Sequence, residues 1–222
     1  MSEKKNPGII YLGLFLAVLG IISAGLLAFV YEKTEAPIKL AKLKKTSHAL
    51  MEVLPPFDNQ PASETIEVKA DNGTEVTYYI AKKDGHVVGI AGEGYSMKGF
   101  SGKITVMAGM TTDGEITTVI VTEQHETPGL GTVVTNRVRQ KTIMDLLGKG
   151  KSEKGLPPNK ILDGFSGHTA DNDSPWKVKK DGGEFDFVTG ATISSRAVTG
   201  AVYSIAHTFI QHKSEIIPQK KK

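Results

Sequence analysis

The chain has 222 residues, 27 Lys and Arg against 24 Asp and Glu, a net charge of +3 and no cysteine. The missing thiols exclude cysteine-held iron–sulfur clusters, thiolate zinc sites, disulfides and cysteine nucleophiles. Nearly balanced charge, without aromatics interleaved in a basic patch, leaves no footprint for nucleic acid.

From Gly8 to Tyr31 runs an uncharged apolar stretch of 24 residues. At about 1.5 Å per residue, such a helix crosses the ~30 Å hydrocarbon core with some tilt. It is longer than the apolar stretch of a cleaved signal peptide and reads as a retained anchor. Gly13, Ala17, Gly20, Ala24 and Ala28 stack on one helical face, where a neighbouring helix could approach closely. Lys4 and Lys5 precede the segment, while Lys33, Lys39, Lys42, Lys44 and Lys45 follow it. Counted alone, these lysines keep the rest of the chain in the cytoplasm.

Helical periodicity continues through Leu40, Leu43, Ala49, Leu50 and Val53 to the Leu54-Pro55-Pro56 break. Five alternating, β-branched runs follow: 64–70, 74–81, 86–91, 103–111 and 115–123. The turns between them, Asp71-Asn72-Gly73, Lys83-Asp84-Gly85 and Asp113-Gly114, are too short for crossover helices, so an antiparallel meander is expected. Thr132 to Leu147 reads as a helix closed by Gly148, and 149–183 as a long loop. Phe185–Val188 is expected as a short strand and Ser194–Gln211 as an amphipathic helix. The class is α+β, strands first and helices after them. Lys220-Lys221-Lys222 close a basic tail.

Several common signals fail. Gly150-Lys151-Ser152 imitates the end of a phosphate-binding P-loop but has Asp145 where its first glycine belongs. Gly92-x-Gly94 and Gly129-x-Gly131 lack the third glycine of a dinucleotide fingerprint. The six histidines have no metal-ligand spacing, and no Gly-x-Ser-x-Gly elbow occurs, so neither a metal site nor a catalytic side chain is assigned.

Two stretches remain. Asp186-Phe187-Val188-Thr189-Gly190-Ala191-Thr192-Ile193-Ser194-Ser195-Arg196 lies at the entrance to a helix. Gly190 and Ala191 keep the turn narrow, and hydroxyls together with the first free amides of the helix suit a phosphate. An ordinary helix start with Ser194 as N-cap accounts for part of the same pattern. His125-Glu126-Thr127-Pro128-Gly129-Leu130-Gly131-Thr132 fits a type II turn at Pro128-Gly129, yet Glu126, Thr127 and the second glycine exceed what that turn requires. Its open backbone could line a flat ligand. A third glycine-rich stretch, 92–102, could border the same cleft.

Thr189-Gly190-Ala191-Thr192 with Asp186 before it resembles the flavinylation motif Asp-x-x-Ser/Thr-Gly-Ala-Ser/Thr of FMN-binding domains. Glu126-Thr127-Pro128-Gly129-Leu130-Gly131 resembles that family's other signature. With an N-terminal anchor, the chain from the anchor to about Phe209 is similar to the G subunits of Rnf ion-translocating electron-transport complexes.

The resemblance implies FMN esterified through its phosphate to Thr192 by a separate flavin transferase that uses FAD. Thr189, Ser194 and Ser195, with Gly190 and Ala191, would shape the turn or bind phosphate oxygens, and Asp186 would help position the segment for the transferase. Glu126, Thr127 and Leu130, with Gly129 and Gly131, would form the ring site. It implies a domain outside the cytoplasmic membrane, against the lysine count, and other membrane subunits as partners. The complex would couple electron flow between ferredoxin and NAD to movement of Na⁺ or H⁺. The expected division is a tail at 1–7, a membrane helix at 8–31, a juxtamembrane helix and linker at 32–56, an FMN-binding domain at 57–212 and a basic tail at 213–222. The related C subunit of the Na⁺-translocating NADH:quinone oxidoreductase and a membrane-anchored flavin-binding sensor are the alternatives.

Overall fold

A computed structural model describes residues 8–137, 155–171 and 174–217. The chain divides into two units, Met1–Lys45 and Thr46–Lys222. Helix α1, Ile9–Val53, is continuous and 45 residues long. Its apolar part is long enough to cross a membrane, and none of that window is buried against protein. Leu16, Ile22 and Leu27 all lie open, as side chains meant for lipid do. The helix stops where expected, immediately before Leu54-Pro55-Pro56, because proline removes a donor and restricts the residue before it.

In the second unit, strands β1 (Thr65–Lys69), β2 (Glu75–Lys83), β3 (His86–Gly99), β4 (Gly102–Met110) and β5 (Ile116–Glu123) pair antiparallel in sequential order. The expected meander is therefore the observed one, with β3 running eight residues beyond its expected end. Strand alternation separates two faces. Tyr78, Ile90, Ile104, Val106 and Ala108 share one core with the C-terminal helix α4, Thr192–Gln211. Tyr79, Ala81, Ala91, Met107 and Ile120 share the other with Ala49, Leu50 and Val53 from the last turns of α1. The sheet is thus covered by helix on both faces, and its strands are correspondingly rich in buried apolar residues.

Helix α4 lies directly against β3, and part of the glycine-rich stretch exists for that contact. A Cβ on Gly92 would fall 2.4 Å from Ile205 Cγ2, so a side chain there would push the helix away. Tyr78 donates its hydroxyl to Ile205 O at 2.7 Å, which ties the same helical turn to β2. Burial pushes the Tyr78 hydroxyl pKa upward, so it stays a donor throughout the physiological range.

Three expectations are corrected. The helix expected over Thr132 to Leu147 is interrupted at Asn136: α2 covers Gly131–Thr135, Asn136 is already extended, and 138–147 lie outside the described residues. The reason lies far along the chain. Buried Asn159 donates its side-chain amide to the carbonyls of Val133, Val134 and Asn136, capturing the end of α2. Its oxygen meanwhile accepts from Ile161 and Leu162 and caps α3, Lys160–Asp163. The expected Gly148 cap lies outside the described residues. Residues 185–188 form no strand; Phe185 makes only an isolated parallel bridge to Val178. Its ring is instead taken into an aromatic cluster, 4.8 Å from both Phe165 and Trp176. Finally, α4 begins at Thr192 rather than Ser194, with Ala191 as N-cap, so Thr192 is the first helical residue. A short helix α5, Lys213–Ile216, follows it.

Candidate functional site

The two stretches singled out in the sequence, some sixty residues apart, meet at the start of α4. Glu126 is 4% exposed, although it sits in a loop. One carboxylate oxygen accepts the Ser194 hydroxyl at 2.7 Å, and the other accepts the backbone N–H of Ser101 at 3.2 Å. The Glu126 backbone N–H donates to the Gln124 side chain at 2.6 Å. A single side chain thus joins the β3–β4 turn, the loop before α2 and the first turn of α4. Gly131 makes room for it, since a Cβ there would lie 2.5 Å from the Glu126 carboxylate. That explains the second glycine, which the Pro128-Gly129 turn alone does not need.

The hydroxyls of the Thr-Gly-Ala-Thr segment divide by accessibility. Ser194 and Ser195 are buried, and both are occupied. Ser195 Oγ accepts from Val188 N at 3.2 Å and donates to Ala191 O at 3.0 Å. Thr189 lies on the surface, and Thr192 is partly open. Gly190 has φ of +89°, a left-handed conformation that favours glycine, and the facing atom for a Cβ there is Leu130 Cδ2 at 3.5 Å. Leu130 is 48% exposed, and Thr127 and Gly129 also lie open. The Gly129 N–H donates to Thr132 Oγ1 at 2.9 Å, which closes the turn.

Sequence reasoning missed the basic side chains that surround this segment. A 3₁₀ turn at Lys179–Asp181 folds back toward it. Lys180 Nζ reaches Thr192 Oγ1 at 3.4 Å. Asp186 is held by Lys179 and, at 2.9 Å, by Lys160. Those hydrogen bonds, that from Lys179 foremost, hold its carboxyl below the usual carboxylate range. Asp181 takes a two-pronged contact from Arg196, at 2.7 and 2.6 Å, which likewise lowers its pKa and raises that of the guanidinium. The only signal in the sequence was a local excess of lysine at 177–180, which had no evident target.

Beside these segments lies a cavity of about 490 Å³, lined by Thr132, Val133, Asn159, Lys160, Phe187 and Val188 among others. Its volume falls within the range of small-molecule and cofactor sites, about 300–1,000 Å³. Open Ile193 and Val133 add apolar surface to the same segments.

These features fit a flat ligand with a phosphate. A partly open hydroxyl stands on the first residue of a 20-residue helix, where the aligned peptides carry roughly half a positive charge. A lysine ammonium reaches that hydroxyl, and a residue without a side chain keeps the approach clear. Among the described residues, no group of three or more His, Asp or Glu side chains could hold a metal ion.

The description of the matching family model is "FMN-binding domain", and it covers residues 99–207, from the β3–β4 turn into α4. Over nearly its whole length the chain is similar to proteins named as the G subunits of ion-translocating oxidoreductase complexes. The one from Vibrio cholerae is 34% identical over 211 residues, which span 92% of this chain and 91% of the relative. The one from Shewanella oneidensis is 34% identical over 221 residues, 97% of this chain and 95% of the relative. The one from Cereibacter sphaeroides is 32% identical, over 96% of this chain and 89% of the relative. With identities above 30% along nearly the full length of both partners, the chain belongs to the family of the G subunits of ion-translocating oxidoreductase complexes, and its C-terminal half is an FMN-binding domain.

Proposed function

We propose that this chain is a membrane-anchored flavoprotein subunit, carrying FMN bonded through its phosphate to Thr192, that relays electrons within an ion-translocating ferredoxin:NAD oxidoreductase. The observation that carries the reading is the meeting of the two motifs at the first turn of α4, where Thr192 is accessible while Ser194 and Ser195 are committed to the protein. Thr192 would hold the phosphate, with Gly190 and Ala191 leaving it room. Thr127, Gly129 and Leu130 would line the ring. Glu126 would act from behind, fixing the loop against α4. Bound FMN supplies one- and two-electron redox chemistry, which no side chain of this chain offers.

The relay is tested in the purified complex with its partner subunits. The flavin on this chain should be reduced by the complex's own donor at least as fast as the complex turns over. Reduction slower than turnover would remove the chain from the electron path.

The anchor and the tether also suggest a location. A covalent bond substitutes for affinity where no flavin pool exists to replace lost cofactor. We therefore assign the second unit to the outer side of the cytoplasmic membrane, with a flavin transferase acting on it there. Alkaline phosphatase fused after Gln211 should be active; activity only of a cytoplasmic reporter at that position would reverse the assignment.

A further inference from the structure

We infer that Lys180 is the cation that binds the flavin phosphate, and that the Lys179–Asp181 turn is built to deliver it. The inference rests on Thr192 as the attachment point and names a partner for the group attached there. Lys180 Nζ lies 3.4 Å from Thr192 Oγ1, the atom that would become the bridging oxygen of the phosphodiester. The two non-bridging oxygens would then stand within reach of the ammonium. A phosphodiester keeps one negative charge at every physiological pH, so it presents a permanent partner to a lysine.

The surrounding charges favour this use of Lys180. Asp181 is engaged by Arg196, and Asp186 by Lys179 and Lys160. Among the described residues Lys180 itself forms no ion pair; it contributes only a longer-range attraction to Asp181, as does Lys177. Two of the nearby lysines therefore neutralise the carboxylate of the motif, and a third is left for an anion. The N-terminus of α4 lies on the same atom and adds its partial positive charge.

The turn that carries Lys180 is well anchored. Val178, just before it, is fully buried. Lys179 N donates to Phe185 O at 2.8 Å, and Gly183 N donates to Val178 O at 3.1 Å. Gly182 closes the turn in the left-handed region, with φ of +80°. A phosphate held between this turn and α4 would be fixed at both ends of its charge, which limits how far a ring tethered to it can swing.

The test uses the full chain, flavinylated by co-expression with a flavin transferase, and compares the ³¹P NMR position of the phosphodiester at neutral pH across variants. Lys180→Gln should displace the resonance, because the non-bridging oxygens lose a charged donor, and Lys180→Arg should hold it closer to the wild-type position, because a guanidinium keeps the charge. Lys179→Gln should leave it in place, since that charge is directed at Asp186. A Lys180→Gln resonance at the wild-type position, or an equal displacement in Lys179→Gln, overturns the role of Lys180 while leaving Thr192 as the attachment point. A wild-type protein without covalent FMN by mass overturns both.

Discussion

Thr192→Ala should abolish the FMN adduct outright. Co-expressed with a flavin transferase, the wild-type chain is expected to gain the mass of FMN less one water and to stay fluorescent after denaturation. In the proposed reaction a bond would form between Thr192 Oγ and the FMN-side phosphorus of FAD, the bond to AMP would break, and AMP would leave. The hydroxyl proton must go to a base, and the side chain that reaches Thr192 Oγ1 is an ammonium, which cannot accept it. The chain expressed without a transferase should therefore gain nothing. Ser194→Ala should retain the adduct, because that hydroxyl is turned inward onto Glu126. Covalent fluorescence in Thr192→Ala would put the bond elsewhere, with the open Thr189 as the first place to look.

Glu126→Leu should have the largest effect on stability of any change in the 126–131 loop. It leaves the buried Ser194 hydroxyl without its acceptor, a loss that costs about 1–3 kcal/mol, whereas the Ser101 amide, on an exposed residue, can turn to water. A fall in stability of roughly 1–3 kcal/mol is expected, readable as a lower urea midpoint with an unchanged slope. Thr127→Val and Leu130→Ala touch open surface and should cost little stability. If they line the ring, they should instead shift the flavin's spectrum or potential and leave it attached. A Glu126→Leu protein as stable as wild type would mean that the loop and α4 are held together by other contacts.

Much of this molecule is legible without coordinates because it depends on near neighbours in the chain. The anchor is a matter of apolar length, the meander of strand alternation with short glycine turns, and the end of α1 of two prolines. The two motif stretches also stood out locally, as glycines and hydroxyls in excess of what a turn or a helix cap needs. The errors arose where a distant residue outweighs local preference. A favourable helical pattern after Thr132 stops because Asn159 takes the carbonyls at its end. An apolar Phe185 leaves the strand pattern for a ring cluster. Gly92 reads as a possible ligand loop but serves α4 packing, because Ile205 arrives from more than a hundred residues away.

The same distinction governs the site. Local sequence determined which residue types were available: a threonine near a helix start, a glycine-containing loop, a cluster of lysines. Tertiary structure determined their roles. It turned the Glu126 carboxylate inward to Ser194 and left Thr192 partly open. It also brought Lys180, twelve residues earlier in the chain, to the Thr192 hydroxyl. Hydrogen bonds and charge pairs depend on distances of about 3 Å, and those distances between remote segments are fixed by how the sheet and α4 pack.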